Sequence, residues 1–188
     1  GKELNYNFFE EFIDEVVKSG IKIIYVHARN AILTGISPAQ NRSIPPLDYS
    51  FIRKIKLKYP NILFILNGGI DSLENAKLLL REFDGVMVGR LIQNNPFLLK
   101  KVDSYIYNLD DLNNMNEKLI FDYFNYINPK IKTESIFRLL SPILQIFFGI
   151  PNSKKFKSKI HDYMKNQDLK KIEELFISFI RKNKLLLS

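Results

Sequence analysis

Three short clusters in this chain carry side chains that could grip an anion: His27-Ala28-Arg29, Asn67-Gly68-Gly69 and Gly89-Arg90. Each follows on a short apolar run, at 21–26, 62–66 and 85–88. A glycine pair has no Cβ atoms to hold backbone N–H groups away from a ligand, and arginine offers a planar fork of donors that fits phosphate oxygens. The glycine pair also lies about three residues ahead of an expected helix start, where amide dipoles favour negative charge. Singly, each cluster has an ordinary alternative: a tight turn for the glycines, a surface ion pair for Arg90, a plain polar residue for His27. Together, polar groups at three consecutive strand ends point to a phosphate-bearing ligand, because strand ends form the binding face of a parallel α/β fold.

The elements that must position these clusters can be read from periodicity. Phe8, Phe9, Phe12, Ile13, Val16 and Val17 recur at helical spacing, and Gly20 follows as a stop. The run at 21–26 is rich in β-branched residues and reads as a strand; residues 30–46, with Gly35, Pro38, Pro45 and Pro46, read as a long loop. A helix over 48–59 ends at Pro60, and the continuous apolar run 62–66 suits a strand covered on both faces. Ser72 caps a helix reaching Arg81, residues 85–88 form a third strand, and a helix follows around 96–102. From about Leu112 the period is helical throughout, with helices expected over 113–127, 132–148, 153–164 and 168–184. The expected class is therefore α/β followed by all-α, divided as residues 1–108 and 109–188. A closed eight-stranded barrel takes about 250 residues. The first half is thus either a small open sheet or the later part of a barrel.

Composition narrows the chemistry. Among 188 residues there are 28 Lys+Arg against 20 Asp+Glu, a net charge of +8, and the excess is larger in residues 109–188 (+5) than in 1–108 (+3). Lys154, Lys155, Lys157 and Lys159 fall in one acid-free stretch, which suits a polyphosphate partner and equally a solvated lysine face. There is no Cys, so this chain holds no disulfide, no thiolate metal site and no Cys acid or nucleophile. No run of apolar residues is long enough to cross a bilayer as a helix, and no metal-ligand spacing stands out.

An ordered set of motifs adds a family resemblance. Tyr25-Val26-His27-Ala28-Arg29-Asn30-Ala31 is followed by Gly35-Ile36-Ser37-Pro38, Asn41-Arg42 and Ile44-Pro45-Pro46-Leu47-Asp48-Tyr49. Asn67-Gly68-Gly69-Ile70 and Asp84-Gly85-Val86-Met87-Val88-Gly89-Arg90 come next, then Arg138-Leu139-Leu140, Phe148-Gly149 and Pro151. This series resembles the tRNA-dihydrouridine synthases over nearly the whole chain, most closely in their A-type bacterial form, which acts on D-loop uridines 20 and 20a.

What the resemblance implies is an FMN-binding (β/α)8 TIM barrel followed by a small helical bundle that binds tRNA. NADPH serves as reductant for converting uridine to 5,6-dihydrouridine. His27, Asn67, Gly68, Gly69, Gly89 and Arg90 would hold the FMN, and Asn41, Arg42, Arg138, Lys154 and Lys155 would contact tRNA. The family's catalytic Cys has no counterpart here, so no catalytic residue is assigned to this chain. Gly1 would fall just past the fifth barrel strand, making this the C-terminal portion of a synthase that is inactive alone and leaves apolar strand edges uncovered. The implied setting is cytoplasmic, with tRNA as partner, no membrane contact, and a monomer at full length. Two alternatives stay open: a tRNA-binding remnant without catalysis, and another FMN- or phosphate-binding barrel enzyme. The basic helical tail weighs against the second, since small substrates do not need it.

Overall fold

Helix–strand alternation in the first part of the chain builds a small parallel sheet, as the apolar runs require. The structure, a computed structural model, describes residues 6–32, 34–110 and 115–184. Helix α1 (Tyr6–Lys18) buries Ile13, and Gly20 beyond its end adopts a φ of 93°, the left-handed region where glycine carries no Cβ penalty. Strand β1 (Ile23–His27) leads into a long connection holding the single-turn helix α2 (Pro38–Asn41). Helix α3 (Tyr49–Lys58), β2 (Leu63–Asn67), α4 (Leu73–Leu79) and β3 (Gly85–Met87) follow. Ser37, Asp48 and Ser72 start α2, α3 and α4 by accepting the N–H of Gln40, Phe51 and Asn75.

The three strands lie in the order β1-β2-β3, all parallel, with His27 opposite Asn67 and Asn67 opposite Met87. One sheet face is closed: Val26, Phe64 and Leu66 share a core with Ile13, Ile52, Ile55, Ala76, Leu79 and Phe83. The other is open. Ile23, Tyr25, Leu63 and Met87 alternate with the buried residues and stay between 45% and 67% exposed. This corrects the expectation that 62–66 is covered on both faces; within the described residues, β2 is covered on one.

From Arg90 onward the described residues form helices. These are α5 (Arg90–Asn94), a 3-10 segment (Pro96–Lys101), α6 (Val102–Tyr107), α7 (Asn116–Ile127), a second 3-10 segment (Asn128–Lys132), α8 (Ile136–Leu140), a third (Leu144–Phe147), α9 (Ser153–Lys165) and α10 (Leu169–Lys182). The single helix expected over 132–148 is instead α8 and a separate 3-10 segment. Pro142 lacks the N–H that would continue α8 and its ring crowds the preceding turn, so the backbone breaks while the apolar pattern runs on. The core of this part is aromatic: the Phe147 ring centroid lies 4.4 Å from that of Phe179 and 4.8 Å from that of Phe176, and Phe124 packs edge-on against Phe176.

The chain forms two compact units, Gly1–Gly89 and Arg90–Ser188. The change of period near 105–112, which suggested units of 1–108 and 109–188, lies later than this division. The reason is Phe97, which is buried in the same core as Ile120, Phe124 and Phe147, so the segment after Arg90 packs with the helices.

Candidate functional site

The carboxyl ends of β1 and β2 bring four of the singled-out residues together. His27 ends β1 in register with Asn67, which ends β2, and the Gly68-Gly69 turn follows at once. Gly68 and Gly69 adopt φ of 108° and 71°, and both are hemmed in. A Cβ on Gly68 would stand 3.1 Å from His27 Cε1 and 3.1 Å from Leu47 Cδ2; one on Gly69 would stand 2.3 Å from Leu47 Cδ1 and 3.0 Å from the Tyr49 hydroxyl. Only glycine satisfies both the dihedral and the space. The result is a close-packed strand-end cradle bounded by an imidazole, an apolar side chain and a phenol.

Leu47 and Tyr49 are the residues that sequence reasoning missed as site builders. Tyr49 donates its hydroxyl to the Gly68 carbonyl at 2.6 Å, fixing the turn, and burial pushes its hydroxyl above the usual tyrosine range. Between them, Asp48 accepts from the Phe51 N–H at 2.9 Å, the Ser50 hydroxyl at 2.7 Å and the Tyr6 hydroxyl at 2.8 Å. These donors, the Phe51 amide foremost, hold its carboxyl below the usual carboxylate value. The only sequence signal for the trio was its fixed place in the Pro45-Pro46-Leu47-Asp48-Tyr49 run.

The long connection after β1 is fastened onto the same end. Arg29 donates from Nη1 to the carbonyls of Pro45 and Ser43, and pairs through its backbone with Leu47 in an isolated antiparallel bridge. The Arg29 Nε is buried without a hydrogen-bond partner. Asn41 is likewise engaged: its Oδ1 accepts the Ile32 N–H and its Nδ2 donates to the Ile32 carbonyl, both at 2.7 Å. Arg42 caps the end of α2 and is exposed.

The helix end after the glycine pair differs from the expectation. Ser72 occupies the start of α4 with its own side chain, and Asp71 and Glu74 flank it, so negative charge already sits at that terminus. A cradle for an anion therefore depends on the turn backbone. Gly89 differs too: a Cβ there would meet nothing within 4 Å, and Arg90 begins α5 in the second unit. In that unit Arg138 lies on α8, exposed, with Nε 3.9 Å from Glu134 Oε2. Lys154 and Lys155 line an open cavity of about 500 Å³ with Asn152, Ser158 and Lys159. Among the described residues no His, Asp and Glu cluster is suited to a metal ion, and no helix is long and apolar enough to cross a membrane.

A parallel sheet with glycine turns and polar groups gathered at its carboxyl strand ends defines the class of α/β proteins that bind ligands at that edge. The family follows from comparison: the profile described as "Dihydrouridine synthase (Dus)" matches residues 2–182, and the chain belongs to that family. It is 36% identical over 160 residues to the tRNA-dihydrouridine(20/20a) synthase of Vibrio cholerae, covering 84% of this chain and 49% of the relative. It is 37% identical over 155 residues to that of Salmonella typhimurium, with 81% and 47% covered. The Escherichia coli K12 protein of the same name matches at 36% over 155 residues, with 81% and 45% covered. The chain thus spans about half the length of the curated relatives it matches.

Proposed function

We propose that this chain supplies the later strands of a flavin-holding TIM barrel and the tRNA-binding helices of an enzyme that reduces uridine to 5,6-dihydrouridine in the tRNA D-loop, at positions 20/20a, with NADPH as reductant. The observation that carries the reading is the Gly68-Gly69 turn pressed between His27, Leu47 and Tyr49, in a chain of this family. FMN, when bound, supplies the hydride for the uracil ring. The work of this chain's residues is placement and electrostatics.

Asn67 and the backbone of Gly68 and Gly69 are suited to the ribityl phosphate by their place at the carboxyl end of β2, where main-chain donors of a strand-end turn can meet an anion, while Leu47 and Tyr49 fill the space that the missing Cβ atoms leave. Gly89 and Arg90 join them on the strength of their order along the chain, Arg90 as a charge-assisted donor. His27, lying over the turn, is suited to a hydrogen bond toward the flavin. Asn41 and Tyr49 act one step back, fixing the loop and the turn. In the family the proton for uracil C5 comes from the catalytic Cys, and since this chain has no Cys that residue would lie outside it. Arg42, Arg138, Lys154 and Lys155 hold tRNA phosphates, leaving target choice to tRNA shape and to extrusion of the uridine.

The open sheet face supports the barrel reading. Parallel sheets are covered on both faces, so Ile23, Tyr25, Leu63 and Met87 call for further strands or helices against them. The test is flavin retention by the protein as its cell makes it. Arg90→Ala should weaken FMN binding about tenfold or more in fluorescence titration, the effect of losing a hydrogen bond to a charged group. Unchanged retention would remove Arg90 from the phosphate site.

A further inference from the structure

On the second unit, away from the glycine turn in sequence, two rings stand together on the surface. Phe137 of α8 is 45% exposed although its neighbours Ile136, Leu139 and Leu140 are buried. Its ring meets that of His161, on α9, edge to face at 5.8 Å and 68°. Core packing anchors both ends of this contact. Ile160 and Met164 pin α9 on either side of His161, and the buried residues of α8 leave Phe137 outward. An apolar ring held in water by its own backbone is unused hydrophobic area, and a neighbouring aromatic edge fixes its orientation.

The charges around the pair say what could cover it. Along α9, Lys154, Lys157, His161 and Lys165 recur at intervals of three and four and so share one helix face. Ion pairs between described residues of this unit include those of Lys118, Arg138, Lys171 and Arg181, and the lysines of α9 take part in none of these four. Glu134 near Arg138 and Asp162 beside His161 are the carboxylates closest in sequence to the pair; Asp162 stands three residues from Lys165 and from Lys159, so it offsets part of the charge at that end and leaves Lys154 and Lys157 as the uncompensated end of the row. A ring flanked by a row of cations matches single-stranded nucleic acid, where a base offers a π-face and the backbone offers phosphates.

We propose that Phe137 and His161 form a stacking platform for an unpaired nucleobase of RNA whose phosphates run along the α9 lysine face. This rests on the reading that the second unit binds tRNA, and adds to it a base contact that the lysines alone cannot make. The platform is sequence-tolerant, since every base has a π-face.

Phe137→Trp tests it, because indole fluorescence, read as the difference from the unsubstituted protein, reports stacking directly, and this chain adds no Trp of its own to that difference. In the protein as its cell makes it, unmodified tRNA should quench the added fluorescence, while inorganic polyphosphate and polyglutamate should not. Equal quenching by polyphosphate, quenching by polyglutamate, or no quenching by tRNA overturns the platform. In salt-dependent filter binding, Phe137→Leu should weaken tRNA about tenfold and keep the wild-type salt slope, with Phe137→Tyr restoring affinity. Lys154, Lys155 and Lys157 changed together to Glu should flatten the slope. If the lysine variant loses slope while Phe137→Leu binds normally, the platform fails and the tRNA reading stands; if neither changes, the tRNA reading of this face fails as well.

Discussion

At the scale of single residues, two glycines of the same motif series carry opposite demands. Gly69 sits at φ 71° with a Leu47 methyl where its Cβ would go, whereas Gly89 has open space. Gly69→Ala should therefore lower stability by about 1–3 kcal/mol in denaturant unfolding, through backbone strain and a displaced Leu47. Gly89→Ala should stay within about 0.5 kcal/mol. Equal effects would mean that the strand-end turn is not the constrained element. Asp48 gives a pH prediction. Its hydrogen bonds lower its carboxyl in the folded chain, so its contribution is present above the ordinary carboxylate value and is lost as pH falls through the lowered one. Asp48→Asn, which keeps a capping oxygen, should flatten the acid limb of stability below about pH 4 in pH-resolved thermal melts. An unchanged acid limb would assign that sensitivity to other carboxylates. Residue types and order made the glycine pair and His27 legible beforehand. Tyr49, Leu47 and the Asn41 clasp were not, because each acts through a partner distant in sequence, and spacing alone does not say which loop atom a side chain will reach.

At the scale of elements, the apolar period was a good guide to where helices lie and a poor one to where they break. The pattern in α9 and α10 runs close to the expected spans. Across 132–148, however, Ile136, Leu139, Leu140, Ile143, Ile146 and Phe147 all turn inward although the backbone changes form after Leu140. A 3-10 segment with three residues per turn keeps nearly the same face as an α-helix over so short a length, so the pattern cannot register the switch. The neighbouring phenylalanines at the end of this segment make the point testable. Phe147 is fully buried among Phe156, Phe176 and Phe179, and Phe148 is largely exposed. Phe147→Ala should cost about 3–5 kcal/mol and Phe148→Ala less than about 0.5 kcal/mol, both read by denaturant unfolding. A large loss at Phe148 would show that this exposed ring has a cover that its present surroundings do not provide.

At the scale of the whole molecule, the open face of the sheet dominates behaviour. Covering an exposed Leu, Ile or Met side chain is worth about 1.5–3 kcal/mol each, so this face will seek a partner. The chain expressed by itself should self-associate and bind a hydrophobic dye, and Tyr25→Lys with Leu63→Lys should reduce both in size-exclusion and dye-fluorescence measurements. Association unaffected by the pair would point to another surface, such as the outer side of α1, where Phe8 and Phe12 are exposed. The parallel sense of the strands and the helical run of the later part could both be read from periodicity, and the strand order could not. Neither could the uncovered face, since a continuous apolar run says that a strand wants burial on two sides without saying who provides it.

The loop after β1 is anchored at its base and free at its tip. Asn41 holds Ile32, and Arg29 holds Pro45 and Ser43, so the stretch between is tied off beneath its tip. The tip around Thr34 and Gly35 is exposed. Residues inserted there would lengthen the tip while Leu47 and Tyr49 kept their seats on the glycine turn, so the reach of the outer rim and the shape of the floor are mechanically separate properties of this loop.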